Sequence, residues 1–463
     1  MSVGRIVLSA GVGLLVCALA AGQELPPTRP TGPVATCVTF ECHGDVLSGK
    51  VLHRPAAYEK CDACHTLIHA GGHVFELTVP EHQLCLFCHV QTHRTVVHKP
   101  VADGECTGCH DPHGSDHRFL LVEDPAGGLC WRCHPAEEFG SKKYVHGPVA
   151  DGACIVCHEA HSSWNWKLLA KKPQELCVLC HEDVVARLEV ARHPHEPAVA
   201  GRCDTCHDPH ASDHPAQLRA GVPQLCFSCH EHAAIQRLVE SSPRVHGVIN
   251  SEESCTACHT GHGSSMPKLL ARPLLSLCLS CHDEPVETPE GRRLTNMGTL
   301  LRDNPNHHGP IRRADCSACH NPHASSNFSL LVKEYPQEFY APFDLKNYQL
   351  CFTCHLKDMV AIENGVGVTG FRDGSRNLHF VHVNKEKGRT CRACHEVHAS
   401  KRPFHISEKV PFGAGGWEIE INYEQLPDGG RCAPGCHEVQ TYSRAAERAP
   451  STNRAGSKAG ENE

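Results

Sequence analysis

Fifteen times along a chain of 463 residues, a closely spaced pair of cysteines is followed at once by a histidine. Thirteen copies read C-x-x-C-H: Cys61/Cys64/His65, Cys85/Cys88/His89, Cys106/Cys109/His110, Cys130/Cys133/His134, Cys154/Cys157/His158, Cys177/Cys180/His181, Cys203/Cys206/His207, Cys226/Cys229/His230, Cys255/Cys258/His259, Cys278/Cys281/His282, Cys316/Cys319/His320, Cys351/Cys354/His355 and Cys391/Cys394/His395. Two copies are stretched: Cys37/Cys42/His43 and Cys432/Cys436/His437. Together they use every one of the 31 cysteines except Cys17. This spacing suits one chemistry. Two thiols add to the two vinyl groups of a haem, and the adjoining histidine becomes an axial ligand of the iron. A single copy reads equally well as half a zinc site or as a redox dithiol. Neither reading accounts for the whole set, although the last, stretched copy could instead close as a disulfide in an oxidising compartment.

The motifs come in pairs. First members begin at Cys61, Cys106, Cys154, Cys203, Cys255, Cys316 and Cys391, and each is followed by a second member. Seven two-haem repeats therefore follow one extra haem at Cys37, and the last two repeats carry insertions. A near-constant period marks an array of similar units that pack mostly on their neighbours. Two further histidine series follow the same period. His53, His98, His146, His195, His246, His308 and His382 precede the first cysteine of each repeat. His69, His113, His161, His210, His262, His323 and His398 follow the first motif histidine by three or four residues. These are the expected distal ligands. A histidine so close behind a proximal one is tethered to the wrong side of its own haem, so each should ligate a different haem. Of the 39 histidines, 15 are proximal and 24 remain for the distal positions. The fifteenth distal ligand is expected from His405, with His73, His93 and His307 as alternatives. His117 and His214 read as surface spares. Beyond the leader only Met266, Met297 and Met359 remain, which leaves His/Met ligation to few haems.

The elements that position these groups must be short. The fold class expected is mostly irregular coil with short α-helices and little β, an elongated array of two-haem repeats whose core is the stacked haems. Helices are predicted around the motifs, for example over 174–182 and 224–234, few longer than three turns. Residues 415–423 alternate and predict a strand. Residues 324–350, 356–381 and 399–431 are haem-free insertions and candidates for partner contact. Aromatic content is 5%, and 38 Gly and 32 Pro punctuate the chain, a composition poor in ordinary core. Haem plates would supply that core, so the haem-free chain is expected to be unfolded.

Arg5, the apolar run 6–21 and the small residues Ala18 and Ala20 read as a secretory signal peptide over 1–22. Acylation of Cys17 is disfavoured by bulky Val16 before it. Export agrees with c-type haem, which is attached outside the cytoplasm. The remaining organisation expected is regular repeats over 23–300, repeats with insertions over 301–441, and a disordered tail over 442–463. The formal net charge is −8, and without a long basic run nucleic acid is not an expected partner.

The paired motifs, with phrases such as Cys109-His110-Asp111-Pro112-His113 and Cys319-His320-Asn321-Pro322-His323, resemble the multihaem c-type cytochromes with doubled C-x-x-C-H motifs. The resemblance covers roughly residues 37–437. It implies a periplasmic, outer-membrane or extracellular electron carrier that meets redox partner proteins. Some members thread an outer-membrane β-barrel and reach extracellular acceptors, and others are soluble shuttles or filament subunits. The stretched first and last motifs also occur in the cytochromes c3 and their relatives. Three functions follow: a haem wire with no catalytic residue, a multihaem reductase with one open-site haem, or a filament subunit. All fifteen motifs end in histidine, whereas many such reductases mark the open haem with lysine, so the wire is favoured.

Overall fold

The computed structural model describes residues 43–69, 74–90, 94–126, 128–230, 234–288, 291–413 and 417–445. The expected leader, Cys17, Cys37, Cys42, His73, His93 and the tail from 446 lie outside these residues, as does the side chain of His69. The backbone is mostly irregular. It carries short helices, many single 3₁₀ turns and small antiparallel ladders, most of them two residues long. The longest described helices, Glu182–Val190 and Leu274–His282, have nine residues each. Proline and glycine interrupt the chain too often for longer ones. Among the described residues no helix is long and apolar enough to cross a membrane.

The contacts gather into two units. One comprises Met1–Glu182 with Gly201–Arg219, the other Asp183–Ala200 with Ala220–Glu463. In the first, the residues ahead of each leading histidine pair with residues behind the first motif of the following repeat: Val51–Leu52 with Gly114–Ser115, Val96–Val97 with Ser162–Ser163, and Tyr144–Val145 with Ala211–Ser212. In the second, His193–Pro194 pairs with Gly263–Ser264, Arg244–Val245 with Ala324–Ser325, and Asn306–His307 with Ala399–Ser400. Two-residue ladders are too small to be stable alone. They persist as part of a repeating clasp.

The insertions of the last two repeats do more than offer surface. They build a side-chain core in which Leu331, Tyr335, Tyr348, Val360 and Val383 are buried. Beyond it stand a hairpin, Lys409–Phe412 with Trp417–Glu420, and a three-stranded sheet of Tyr423–Leu426, Gly429–Cys432 and Gln440–Ser443. The alternation over 415–423 thus yields two strands, not one. The break falls before Tyr423, where Asn422 has φ of 43°. Tyr442, expected to open the tail, is buried in the last strand.

First and second motifs sit differently. First members occupy 3₁₀ turns, as at Cys106–Gly108, Cys154–Val156 and Cys316–Ala318. Second members are often on α-helix, as at Gln224–His230 and Leu274–His282. The helix expected over 174–182 is divided into Pro173–Cys177 and Glu182–Val190.

Candidate haem sites

The clasp begins at the leading histidine. His53 N–H donates to the His113 carbonyl at 2.8 Å, His98 to His161 at 2.9 Å, and His146 to His210 at 2.9 Å. The same imidazoles donate Nδ1–H to the preceding carbonyls, Pro112 at 2.8 Å, Ala160 at 3.0 Å and Pro209 at 2.9 Å. In the second unit His195 and His246 bind Gly261 and Pro322 likewise, at 2.7 and 2.9 Å. A carbonyl on Nδ1 fixes the tautomer and leaves Nε2 bare for a metal.

First-motif histidines are held by a second device. His110, His158, His207, His259, His320 and His395 place Nδ1 on the carbonyls of Phe119, Lys167, Ala216, Lys268, Ser329 and Phe404, at 2.8–2.9 Å. Each of those carbonyl residues has a left-handed φ of 51–61°, and so does the residue after it. Left-handed backbone costs a non-glycine residue about 1–2 kcal/mol. Such strain persists only where the surroundings over-determine it. A buried serine closes the loop: Ser163 Oγ donates to the Leu169 carbonyl at 2.5 Å, Ser325 to Leu331 at 2.6 Å, and Ser400 to Ile406 at 2.9 Å. This knot is missing from the expectations above, although Leu or Ile recurs 11 residues after each of these histidines. The spares His117 and His214 belong to it. They are half-buried, and their N–H groups donate to Ser115 and Ser212.

The rings then meet in facing pairs. Leading histidines face second-motif histidines: His53 with His89, His98 with His134, His146 with His181, His195 with His230, His246 with His282 and His308 with His355. Trailing histidines face first-motif histidines of the repeat before: His113 with His65, His161 with His110, His210 with His158, His323 with His259 and His398 with His320. Centroids lie 5.9–6.3 Å apart and planes 8–28° from parallel across these pairs. His405, expected to complete the set, stands edge-on to His308 at 5.4 Å and 86°. His379 faces His395 instead. His382 lies close enough to His437 to feel its charge. Burial drives the buried imidazoles toward their neutral, ligating form. His379 is pushed down to about 4, by burial first and then by His395 and His382.

The motif cysteines divide by position. In the second motifs the cysteine next to the histidine is exposed: Cys88, Cys133, Cys180, Cys229, Cys281 and Cys354, with Cys436 of the last stretched motif alike. Their counterparts in the first motifs, Cys109, Cys157, Cys206 and Cys258 among them, are half-buried. The knot covers these. The Cys206 carbonyl accepts from Arg219 N–H at 2.9 Å, and the Cys109 carbonyl from Val122 N–H at 3.0 Å. Side chains therefore do not enclose the second-motif thiols, and the apolar cover has to come from the porphyrin that they would carry. His43, proximal in the stretched first motif, is likewise exposed. It departs from the other motif histidines in having a left-handed φ of 55°, where the chain turns into Gly44–Leu47 and Val46 N–H donates to the His43 carbonyl at 3.2 Å.

These residues fit haem. Two metal–imidazole bonds of about 2 Å, laid end to end with the two ring radii, span about 6 Å, the separation of the pairs. Among the described residues no group of three or more His, Cys, Asp or Glu converges on a metal position, and the cysteines are free of disulfides. Apolar side chains that a porphyrin would cover stand in the open, among them Phe87 at 85% and Trp166 at 77% exposure. Tyr348 Oη and Arg389 Nε are buried without a hydrogen-bond partner. The first lies in the electrostatic neighbourhood of Cys351 and Cys391, the second in that of Cys394. A cofactor bearing carboxylates would satisfy both.

Neighbouring motifs also touch. Cys85 contacts Cys106, Cys130 contacts Cys154 and Cys177 contacts Cys203. In the second unit Cys226 contacts Cys255, Cys278 contacts Cys316 and Cys351 contacts Cys391. Each contact joins the second motif of one repeat to the first motif of the next.

The model of the doubled CXXCH motif matches this chain at residues 98–139, 146–186, 195–235, 246–287 and 308–360. The chain is a multihaem c-type cytochrome. Every matched stretch of the cytochrome opens on a leading histidine. The repeats at Cys61 and Cys391 fall outside the matches, and they are the ones whose surroundings differ. The first replaces the knot by a hairpin, His65–His69 with Val74–Leu77. The last lies among the long insertions. The multiheme cytochrome MtrA of Shewanella baltica (strain OS185) is 25% identical over 189 residues, covering 33% of this cytochrome and 52% of that protein. The match thus spans about half the length of that relative. Covalently bound haem c and electron transfer follow from the motifs and the family.

Proposed function

We propose that the chain holds fifteen c-type haems, each between two imidazoles, and conducts electrons one at a time between the periplasm and the outer membrane or cell exterior. The facing histidine pairs support this reading above all. Each joins a motif histidine to a second imidazole, so no described pair leaves an axial position open to substrate. Haem c supplies a one-electron iron couple when bound. The chain's own task is to fix the imidazoles, exclude other ligands and set neighbouring attachment points side by side. A reduced redox protein is oxidised at one point of the array, and an oxidised acceptor, a partner protein or an extracellular ferric mineral, is reduced at another. The leader over 1–22, the regular repeats over 23–300 and the insertion-bearing repeats over 301–441 complete this reading. A polar array at the outer membrane requires a β-barrel partner as its shield.

The test uses native cells. The protein is followed by haem staining through fractionation and gentle detergent purification, then its haem content is measured by mass and its spin state by electron paramagnetic resonance. Fifteen low-spin haems recovered with a β-barrel protein support the proposal. A free soluble species rejects the conduit, and a substoichiometric high-spin haem points to a reductase.

A further inference from the structure

Every first-motif histidine needs a facing ring, and in the regular repeats that ring comes from the repeat that follows. The repeat at Cys391 has no C-H-x-x-H repeat after it. The structure fills the gap from inside the insertion 356–381. His379 faces His395 with centroids 6.4 Å apart and planes 21° from parallel, within 0.1 Å of the widest regular pairs, at 6.3 Å. His379 and His382 lie three residues apart on the helix Leu378–Val383, and so on one face. His379 Nδ1 meets Thr369 Oγ1 at 3.0 Å, and His382 Nδ1–H donates to the Leu378 carbonyl at 2.7 Å. Both therefore keep Nε2 for a metal.

Asn377 holds this helix in place. It is 0% exposed. Its Oδ1 accepts from the N–H groups of His379 and Phe380, at 3.0 and 3.3 Å, and caps the helix. Its Nδ2 donates to the carbonyls of Met359 and Ile362, at 2.9 and 2.8 Å. A buried amide satisfied on both sides leaves the helix a single position.

We propose that Leu378–Val383 is a double clamp that closes the array: His379 is the distal ligand of the haem attached at Cys391 and Cys394, His382 that of the haem attached at Cys432 and Cys436, and Asn377 is their positioning residue. The clamp stands in for the repeat that does not follow. It rests on the bis-imidazole reading above and goes beyond it in assigning His379, which no repeat pattern marks. His405 is the rival, being near the same site but edge-on to His308.

The experiment is done on the full-length, haem-loaded protein. His379→Ala and His405→Ala are compared with wild type by electron paramagnetic resonance, together with haem content by mass. His379→Ala is expected to turn one haem of the set high-spin at unchanged haem content, with low spin restored by added imidazole, and Asn377→Ala to do so partially. His405→Ala leaves the spectrum unchanged. An unchanged spectrum for His379→Ala, or a new high-spin haem in His405→Ala, overturns the assignment. Should His379→Ala fail to mature, His379→Met decides: thioether ligation with a raised potential at one haem supports the clamp, and an unshifted haem set overturns it. High-spin haem in wild type would defeat the underlying bis-imidazole reading, a different outcome from either variant's.

Discussion

The imidazoles of His308 and His355 face each other with centroids 6.0 Å apart and planes only 8° from parallel, although an insertion separates their segments. The other facing pairs reach at most 28°. Near-parallel axial imidazoles split the iron d orbitals rhombically. The low-spin resonance of the ferric protein is therefore expected to be dominated by rhombic signals. A spectrum dominated by the highly anisotropic type that crossed imidazoles give would contradict the ring orientations.

Glu396 sets one haem apart. Its Oε1 lies 3.2 Å from Nδ1 of His398, whereas Asp111 Oδ1 is 3.8 Å from Nδ1 of His113, beyond hydrogen-bond reach. A carboxylate accepting Nδ1–H pushes electron density onto Nε2 and favours ferric iron. Glu396→Gln should raise the potential of one haem by about 60 mV, a tenfold change for one electron. Potentiometric titration reads it, and a uniform or absent shift refutes it.

The serine of the knot should matter more than its size implies. Ser400 is 4% exposed, donates to the Ile406 carbonyl and accepts from Arg402 N–H at 3.0 Å. Ser400→Ala strands both groups and should cost about 1–3 kcal/mol. Denaturant unfolding followed in the haem absorption checks the loss.

Relief of strain should have the opposite sign. Lys167 has φ of 57°, and its carbonyl holds His158. Glycine removes a penalty of about 1–2 kcal/mol and adds about 0.5–1 kcal/mol of chain entropy, so Lys167→Gly should stabilise by roughly 0.5–1 kcal/mol. Lys167→Val should destabilise. Equal unfolding midpoints for the two variants would show that the left-handed backbone carries no strain.

Haem removal should be far more drastic than any substitution. The regular repeats bury little beyond Ala211, Ser163 and Ser212, while side chains such as Phe87 and Trp164 are largely exposed. The chain produced without haem attachment should show no cooperative melting by circular dichroism. A sharp transition would mean that the side chains alone suffice.

Much of the site is written in short-range spacing. The motif histidines and both flanking series can be found by counting residues, because each haem grips a fixed local stretch of chain. Which ring faces which cannot be counted: His113 turns to His65 through a ladder between different repeats. His379 carries no periodic mark, since it lies in an insertion and owes its place to buried Asn377. The knot is hidden for another reason. Phe119, Lys167 and Ser329 are not residues that advertise a left-handed backbone, and only the closing contacts force it on them.

The clasp bears on how such a chain can be made. His53 leans on the Pro112 carbonyl, and His98 on that of Ala160, always in chain synthesised later. A polypeptide emerging amino end first therefore carries one unfinished repeat at its growing edge, awaiting a carbonyl and an imidazole not yet delivered. Biogenesis advances like a zip whose last tooth needs its own stop, and Leu378–Val383 is placed to be it.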